Sequence, residues 1–169
     1  MKLWGGRFET GPSEIFQRFS ESLSFDKRLL DCDCRGSQAF ARALASVGIL
    51  TGEECAQLVE AFEQIRQEAA DPHFFEGAGD EDVHTLVIRK LKDRVGGLAD
   101  KIHTGRSRNE QVSLDLRLWL REEIDRLFER LKDLLGALLE IANAYPNAVI
   151  EASWKCCGNT ELLATQGSH

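Results

Sequence analysis

The stretch Asn109 to Ala144, NEQVSLDLRLWLREEIDRLFERLKDLLGALLEIANA, decides the fold, because it holds no proline and keeps one helical pattern from end to end. Ile124, Leu131 and Leu138 recur every seventh residue, as do Leu120, Leu127, Leu134 and Ile141, which is the seam of a helical bundle or coiled coil. At 1.5 Å per residue, roughly 36 residues give a rod of about 54 Å. The mean globular helix is about a third of that. The front of the segment is less regular: Val112, Leu114, Leu116, Leu118 and Leu120 alternate with polar residues, a pattern that in isolation reads as a strand. Continuity with the heptads and the lack of any breaker favour helix, and Leu116, Leu118 and Trp119 then spread apolar surface over several faces. Such a helix needs more than one neighbour. Other copies of the chain are expected to supply them, the alternative being a helix that folds back on its own domain.

Immediately before and into this helix runs Lys101 to Val112, KIHTGRSRNEQV. His103, Thr104, Arg106, Ser107, Arg108, Asn109 and Gln111 are too polar for a core. Arginine forks pair bidentately with carboxylates, while hydroxyls and carboxamides fix orientation. A cap at Ser107 or Asn109 would aim free N–H groups and the positive helix end at the same place. The plainer alternative is a solvated basic loop with an N-cap.

The rest of the chain reads as helices. Met1 to Gly11 has no periodicity and is expected to be an extended arm; Pro12 to Phe19 can form a short helix, and Ser20 to Phe25 a polar connection. Asp26 is expected to open a helix to about Val47, burying Leu29, Leu30, Phe40, Ala43, Leu44 and Val47, with Gly48 as its stop. Thr51 and Glu54 form a capping-box pattern for a helix to about Ala69. Asp71 to Asp80 is a loop. Val83, Val87, Leu91 and Val95 mark a helix from about Asp82, ended by Gly96-Gly97. His84 lies beside that apolar line, where a histidine is ordinarily a packing or surface residue.

At 169 residues the chain fits one ordinary domain, and 43% hydrophobic with 29% charged residues is a globular composition. The net charge of −7 argues against nucleic acid as a partner. Arg89 to Arg108 nevertheless carries a net +5 against −12 elsewhere, which suits a small anionic ligand. The five cysteines make neither a zinc-type pattern nor an even disulfide framework, so reduced thiols in a cytoplasmic protein are expected. No stretch has the length of a membrane span, and the N-terminus lacks the apolar run of a signal peptide.

HTGRSRNEQV resembles the characteristic motif of the argininosuccinate lyase family, within the fumarase/aspartase superfamily, with Glu110 where that family more often has Asp. Trp4-Gly5-Gly6-Arg7-Phe8, the run SLSFDKRL from Ser22 to Leu29, and Glu81-Asp82-Val83-His84 match in the same order, so the resemblance covers about residues 3–150. It implies an all-α fold: an N-terminal helical domain over 1–108, the first long helix of a central, oligomerising bundle over 109–146, and a non-matching tail over 147–169, expected to be disordered. The reaction implied is elimination of argininosuccinate to arginine and fumarate, a step of arginine biosynthesis, with no metal and no organic cofactor. Negative charge builds on a carboxylate in that reaction, so preorganised donors are needed around it.

Carried over position by position, the resemblance implies substrate-binding roles for Ser22, Arg108, Asn109, Ser107 and Thr104, and supporting roles for Asp26, Asp82 and His84. Asp26 and Asp82 read equally as helix N-caps. No catalytic residue is assigned, because the family's Thr-His segment and its serine loop have no counterpart here. Glu151 to His169 matches nothing in the family, and a chain lacking the catalytic half, inactive alone, is expected. The resemblance further implies a homotetramer whose active sites form where three subunits meet. The alternative is a non-catalytic oligomerising or structural protein built from the same helices.

Overall fold

The computed structural model describes residues 13–146. The expected N-terminal arm, the Trp4 to Phe8 motif and the tail after residue 146 lie outside them. Among the described residues the secondary structure is helical, without a strand: α1 (Glu14–Ser20), α2 (Leu23–Asp26), α3 (Leu30–Ser46), α4 (Gly52–Glu68), α5 (Val83–Val95) and α6 (Arg108–Ala144). Tight 3-10 helices occupy Lys27–Leu29, Pro72–Phe75 and Gly96–His103. The described chain forms two compact units, divided between Glu122 and Glu123 within α6.

The core lies in the first unit, where α3, α4 and α5 pack on one another. Leu58, Ala61, Phe62 and Ile65 recur at helical spacing along α4 and are all buried, as are Val83, Leu86, Val87 and Leu91 on α5. Removing each such large side chain from water stabilises the fold by about 1.5–3 kcal/mol. Ala99 and Ile102 of the 3-10 segment after α5 close the same core. The capping box is present: Glu54 N–H donates to Thr51 Oγ1 (3.1 Å), and Thr51 N–H to Glu54 Oε2 (3.0 Å). It fixes the start of α4 by satisfying two N–H groups that have no partner within the helix.

Three local expectations are corrected. Ser20 to Phe25 is not wholly a connection, since α2 begins at Leu23. Asp26 closes α2 and stands before the 3-10 turn that leads into α3, but its side chain does not cap that turn: the carboxylate accepts from Ser22 Oγ and from Val83 N–H on α5. Ala43 and Val47 are exposed, Val47 to 69%. The buried stripe of α3 runs instead through Leu30, Cys34, Ser37, Ala41 and Leu44. Those positions keep the 4-3-4-3 spacing of a helix face, but a thiol and a hydroxyl interrupt their apolar pattern. Cys32 and Cys34 are buried free thiols, and Cys55 is half-buried and free.

The helix α6 begins one residue before the expected start and continues unbroken for 37 residues. Its first turns, inside the first unit, bury Gln111 and Asp115. Gly36 of α3 allows this approach: a Cβ there would sit 3.2 Å from Leu114 Cδ2 and 3.4 Å from Asp115 Oδ1. Arg28 lies over the Trp119 ring, 5.6 Å from its centroid, and Arg35 pairs with Glu122. In the second unit the apolar side chains of α6 from Ile124 through Leu127, Leu131, Leu134 and Leu138 to Ile141 are exposed.

Candidate functional site

The N-terminus of α5 gathers groups from three parts of the chain. Asp82 has extended backbone and caps the helix, its Oδ1 accepting from Thr85 N–H at 2.7 Å. Its other oxygen takes a hydrogen bond from Arg108 Nη2, at the start of α6, and the same Nη2 donates to Thr85 Oγ1 at 3.4 Å. Asp26 Oδ1 accepts from Val83 N–H at 3.2 Å, and Ser22 Oγ donates to Asp26 Oδ2 at 2.5 Å. Ser22 N–H in turn donates to Glu81 O at 2.8 Å. Burial works to raise the Asp82 carboxyl, but the Thr85 N–H and Arg108 hold it below the usual carboxylate range. Ser22, Asp26, Asp82, Thr85 and Arg108 therefore form one hydrogen-bonded arc.

The connection into α6 separates its two arginines. Gly105, at φ 69°, turns the chain after Thr104. Arg106 then reaches α3, donating to Ser37 Oγ (2.8 Å) with its guanidinium 5.1 Å from the Phe40 ring centroid. Arg108 goes to α5. Ser107 N–H donates to Glu110 Oε2 at 3.4 Å, which is the back-reaching half of a capping box. Thr104, Ser107 and Asn109 are exposed. Of the residues expected at a site, the structure pairs Ser22 with Asp26 and Asp82 with Arg108, the two pairs meeting at the first turn of α5 through Val83 N–H, and leaves Thr104, Ser107 and Asn109 exposed.

His84 faces inward. Its Nδ1 lies 3.3 Å from Asp33 Oδ1 and 3.6 Å from Asp115 Oδ2, and all three residues are buried. Gln111 Nε2 also donates to Asp33 Oδ1. Asp33 Oδ2, His84 Nδ1 and both Asp115 oxygens have no hydrogen-bond partner. Burial and the neighbouring Asp33 charge push Asp115 up to about 7. Burial opposes charge on His84, yet the Asp33 carboxylate 3.3 Å away raises its imidazole above the ordinary range. Burial likewise works against ionised Asp33, but His84, Gln111 and Arg106 hold that carboxyl low.

Two groups among the described residues have the ligand spacing of a metal site: Asp31, Cys32 and Glu122, and Asp33, His84 and Asp115. Arg35 bonds both carboxylates of the first group, and Arg66 bonds Asp31 as well. In the second, the Arg106 guanidinium lies close enough to act on both carboxylates. Protein cations thus meet the carboxylates of the first group, whereas in the second a single guanidinium faces two buried carboxylates.

Sequence reasoning missed Asp33, Thr85 and Asp115, and gave Arg106 no role of its own. Asp115 carried a usable signal: an acidic residue inside the alternating apolar run Val112 to Leu120, one helical turn after Gln111. Asp33 between two cysteines carried none.

A protein-family model described as lyase matches residues 6–152. The argininosuccinate lyase of Solibacter usitatus is 69% identical over 150 residues, which cover 89% of this chain and 33% of that protein. A Synechococcus argininosuccinate lyase is 48% identical over 147 residues, covering 87% of the chain and 31% of the relative. That of Desulfitobacterium hafniense is 46% identical over 145 residues, covering 86% and 32%. The chain spans about a third of the length of these curated relatives.

Proposed function

The chain belongs to the lyase family that matches residues 6–152, and from that premise we propose that it works as the N-terminal portion of an argininosuccinate lyase, binding the substrate whose C–N bond is cleaved to arginine and fumarate. The observation that carries this reading is the arc at the start of α5, where Ser22, Asp26, Asp82, Thr85 and Arg108 are linked by hydrogen bonds. Both Arg108 bonds use Nη2, which leaves Nε and Nη1 for a substrate carboxylate, and the side chain keeps 35% of its surface accessible. A guanidinium already oriented by Asp82 loses less freedom on meeting that carboxylate.

Asn109 and Ser107, exposed beside Arg108, would contribute an amide and a hydroxyl, and Thr104 a second hydroxyl. Ser22, oriented by Asp26, would donate from the opposite end of the arc. These groups bind and orient, and donors fixed in advance stabilise charge that builds on the carboxylate during elimination. No described side chain is assigned the proton abstraction.

The reading extends to assembly. The seam of α6 packs against other copies of the chain in a homotetramer, in the cytoplasm. Among the described residues no helix is long and apolar enough to cross a membrane.

The test is calorimetric titration of the purified chain with argininosuccinate and with fumarate, followed by a fumarate-release assay. Binding that is lost in Asn109→Ala and Arg108→Ala is expected. No release from the isolated chain is expected, with release restored by adding the remaining two thirds of the Solibacter usitatus relative. Self-association with no binding of either ligand, alone or complemented, would favour a structural protein built from the same helices.

A further inference from the structure

We propose that Asp33, His84 and Asp115 form a buried proton-holding cluster that positions the start of α6 against α5, with His84 as a positioning residue. The three side chains come from α3, α5 and α6, so the cluster is where these helices are pinned together. His84 Nδ1 stands 3.3 Å from one carboxylate and 3.6 Å from the other. If Nδ1 carried a lone pair, it would face two buried carboxylates whose one donor is the Gln111 amide on Asp33, leaving both Asp115 oxygens without any, a costly arrangement. A proton on Nδ1 supplies that donor.

Charge leads to the same answer. Two buried carboxylates facing only Arg106 would leave one uncompensated negative charge, and burial makes that expensive. One further proton, on the His84 imidazole or the Asp115 carboxyl, neutralises the group. The other ionisable groups in range are the Cys32 and Cys34 thiols of α3, both raised by burial, and Arg108 at the start of α6. Neither thiol adds charge near neutral pH.

The cluster is tied to the arc at both ends. On α5, His84 lies between Asp82 and Thr85, the two residues that hold Arg108. On α6, Gln111 donates to Asp33 and Asp115 follows one turn later, so the proton-bearing group and the anion-facing residues share the first two turns. Holding the proton therefore sets where Arg108 is presented. This last step rests on the binding role proposed for Arg108, whereas the cluster itself does not.

The experiment is a pH titration of the whole 169-residue chain without substrate, following the His84 ring nitrogens and the backbone amides of residues 106–111 by NMR. His84 is expected to stay protonated past the 6.5 of a free imidazole, and the amides to move with the same midpoint. Asp115→Asn keeps the shape and a donor but removes the charge. It should lower the His84 midpoint and uncouple the amides while leaving the helical signal intact. A His84 that is neutral at pH 7 with a bare Nδ1 would overturn the proposal, as would amides indifferent to its titration. So would zinc or magnesium that abolishes the titration until removed by a chelator, since the cluster would then hold a cation. Failure of substrate binding with an intact titration would count against the lyase reading alone.

Discussion

Arg106 and Arg108 stand two residues apart and are bound to different helices: Arg106 to Ser37 on α3, Arg108 to Asp82 and Thr85 on α5. The connection into α6 is thus anchored on both sides, and only Arg108 takes part in the arc that holds Ser22 and Asp26. Arg106 instead lies beside the buried carboxylates, so replacing either arginine removes a different set of contacts.

Asp82 couples a cap to an ion pair, and the two contributions can be separated. Asp82→Ala removes the acceptor for Thr85 N–H and should cost about 1–2 kcal/mol in chemical denaturation. Asp82→Asn keeps an acceptor but loses the charge facing Arg108, so it should cost clearly less. Equal losses from the two substitutions would mean that the Arg108 contact dominates.

Gly36 reports how closely α3 and α6 approach. A helical glycine gives up about 1 kcal/mol relative to alanine, and the added methyl would meet Leu114 Cδ2 at 3.2 Å. Leu114 is 42% exposed and its side-chain end can move, so Gly36→Ala should be neutral or slightly stabilising. Gly36→Leu has no such outlet beside Asp115 and Arg106 and should lose about 1–3 kcal/mol by overpacking. Thermal melts of the two variants make the comparison.

The same glycine shows where sequence legibility ends. Helices α4 and α5 are readable because their buried faces are apolar and their caps use Thr51, Asp82 and the glycine after Val95, and α6 is readable from its unbroken heptads. In α3 the buried face includes Gly36, which stands against Leu114 of α6, and Ser37, which accepts from Arg106, so apolar pattern alone made Ala43 and Val47 look equally good. At the site, Ser22, Asp26, Asp82 and Arg108 could be picked out through the family motifs. That Asp26 would cap α5 in place of its own helix depends on a contact 57 residues away, which no local pattern encodes. Asp33 and Asp115 stayed hidden because a buried charge is legible only with its partners in view.

Stability should depend on pH with a sign set by this cluster. Asp115 is raised from 3.8 to about 7 in the folded chain. Its stabilising contribution is complete below the unfolded value and is lost as pH rises through the folded one. The slope approaches about 1.4 kcal/mol per pH unit. His84, raised above 6.5, continues the loss above that pH. Asp33 and Asp82, both held low, act in the opposite sense and weaken the fold only as pH falls below about 4. His103, lowered by burial and then by Arg106 and Arg108, offsets part of the decline just below 6.5. Melts from pH 4 to 8 should therefore show decreasing stability, flattened between about 4 and 7 in Asp115→Asn. A wild-type curve that rises over that range would contradict the charge assignment.

The second unit makes a prediction about assembly. Leu131 and Leu138 lie one heptad apart on α6 and are 46% and 53% exposed, with Leu127, Leu134 and Ile141 beside them also open. An apolar stripe of this kind on a single helix has no folded partner of its own among the described residues, and heptad spacing matches it to other helices of the same kind. Sedimentation velocity should show a concentration-dependent oligomer for the wild-type chain. Leu131→Glu with Leu138→Glu should shift it to monomer, because each charge would have to be buried in the seam. The substitutions lie outside the unit that contains the core, so the urea midpoint of that core, measured at low concentration where the wild type is monomeric, should not change. A wild-type chain that remains monomeric at every concentration would remove the proposed bundle contact, leaving the arc at the start of α5 to be judged on ligand binding alone.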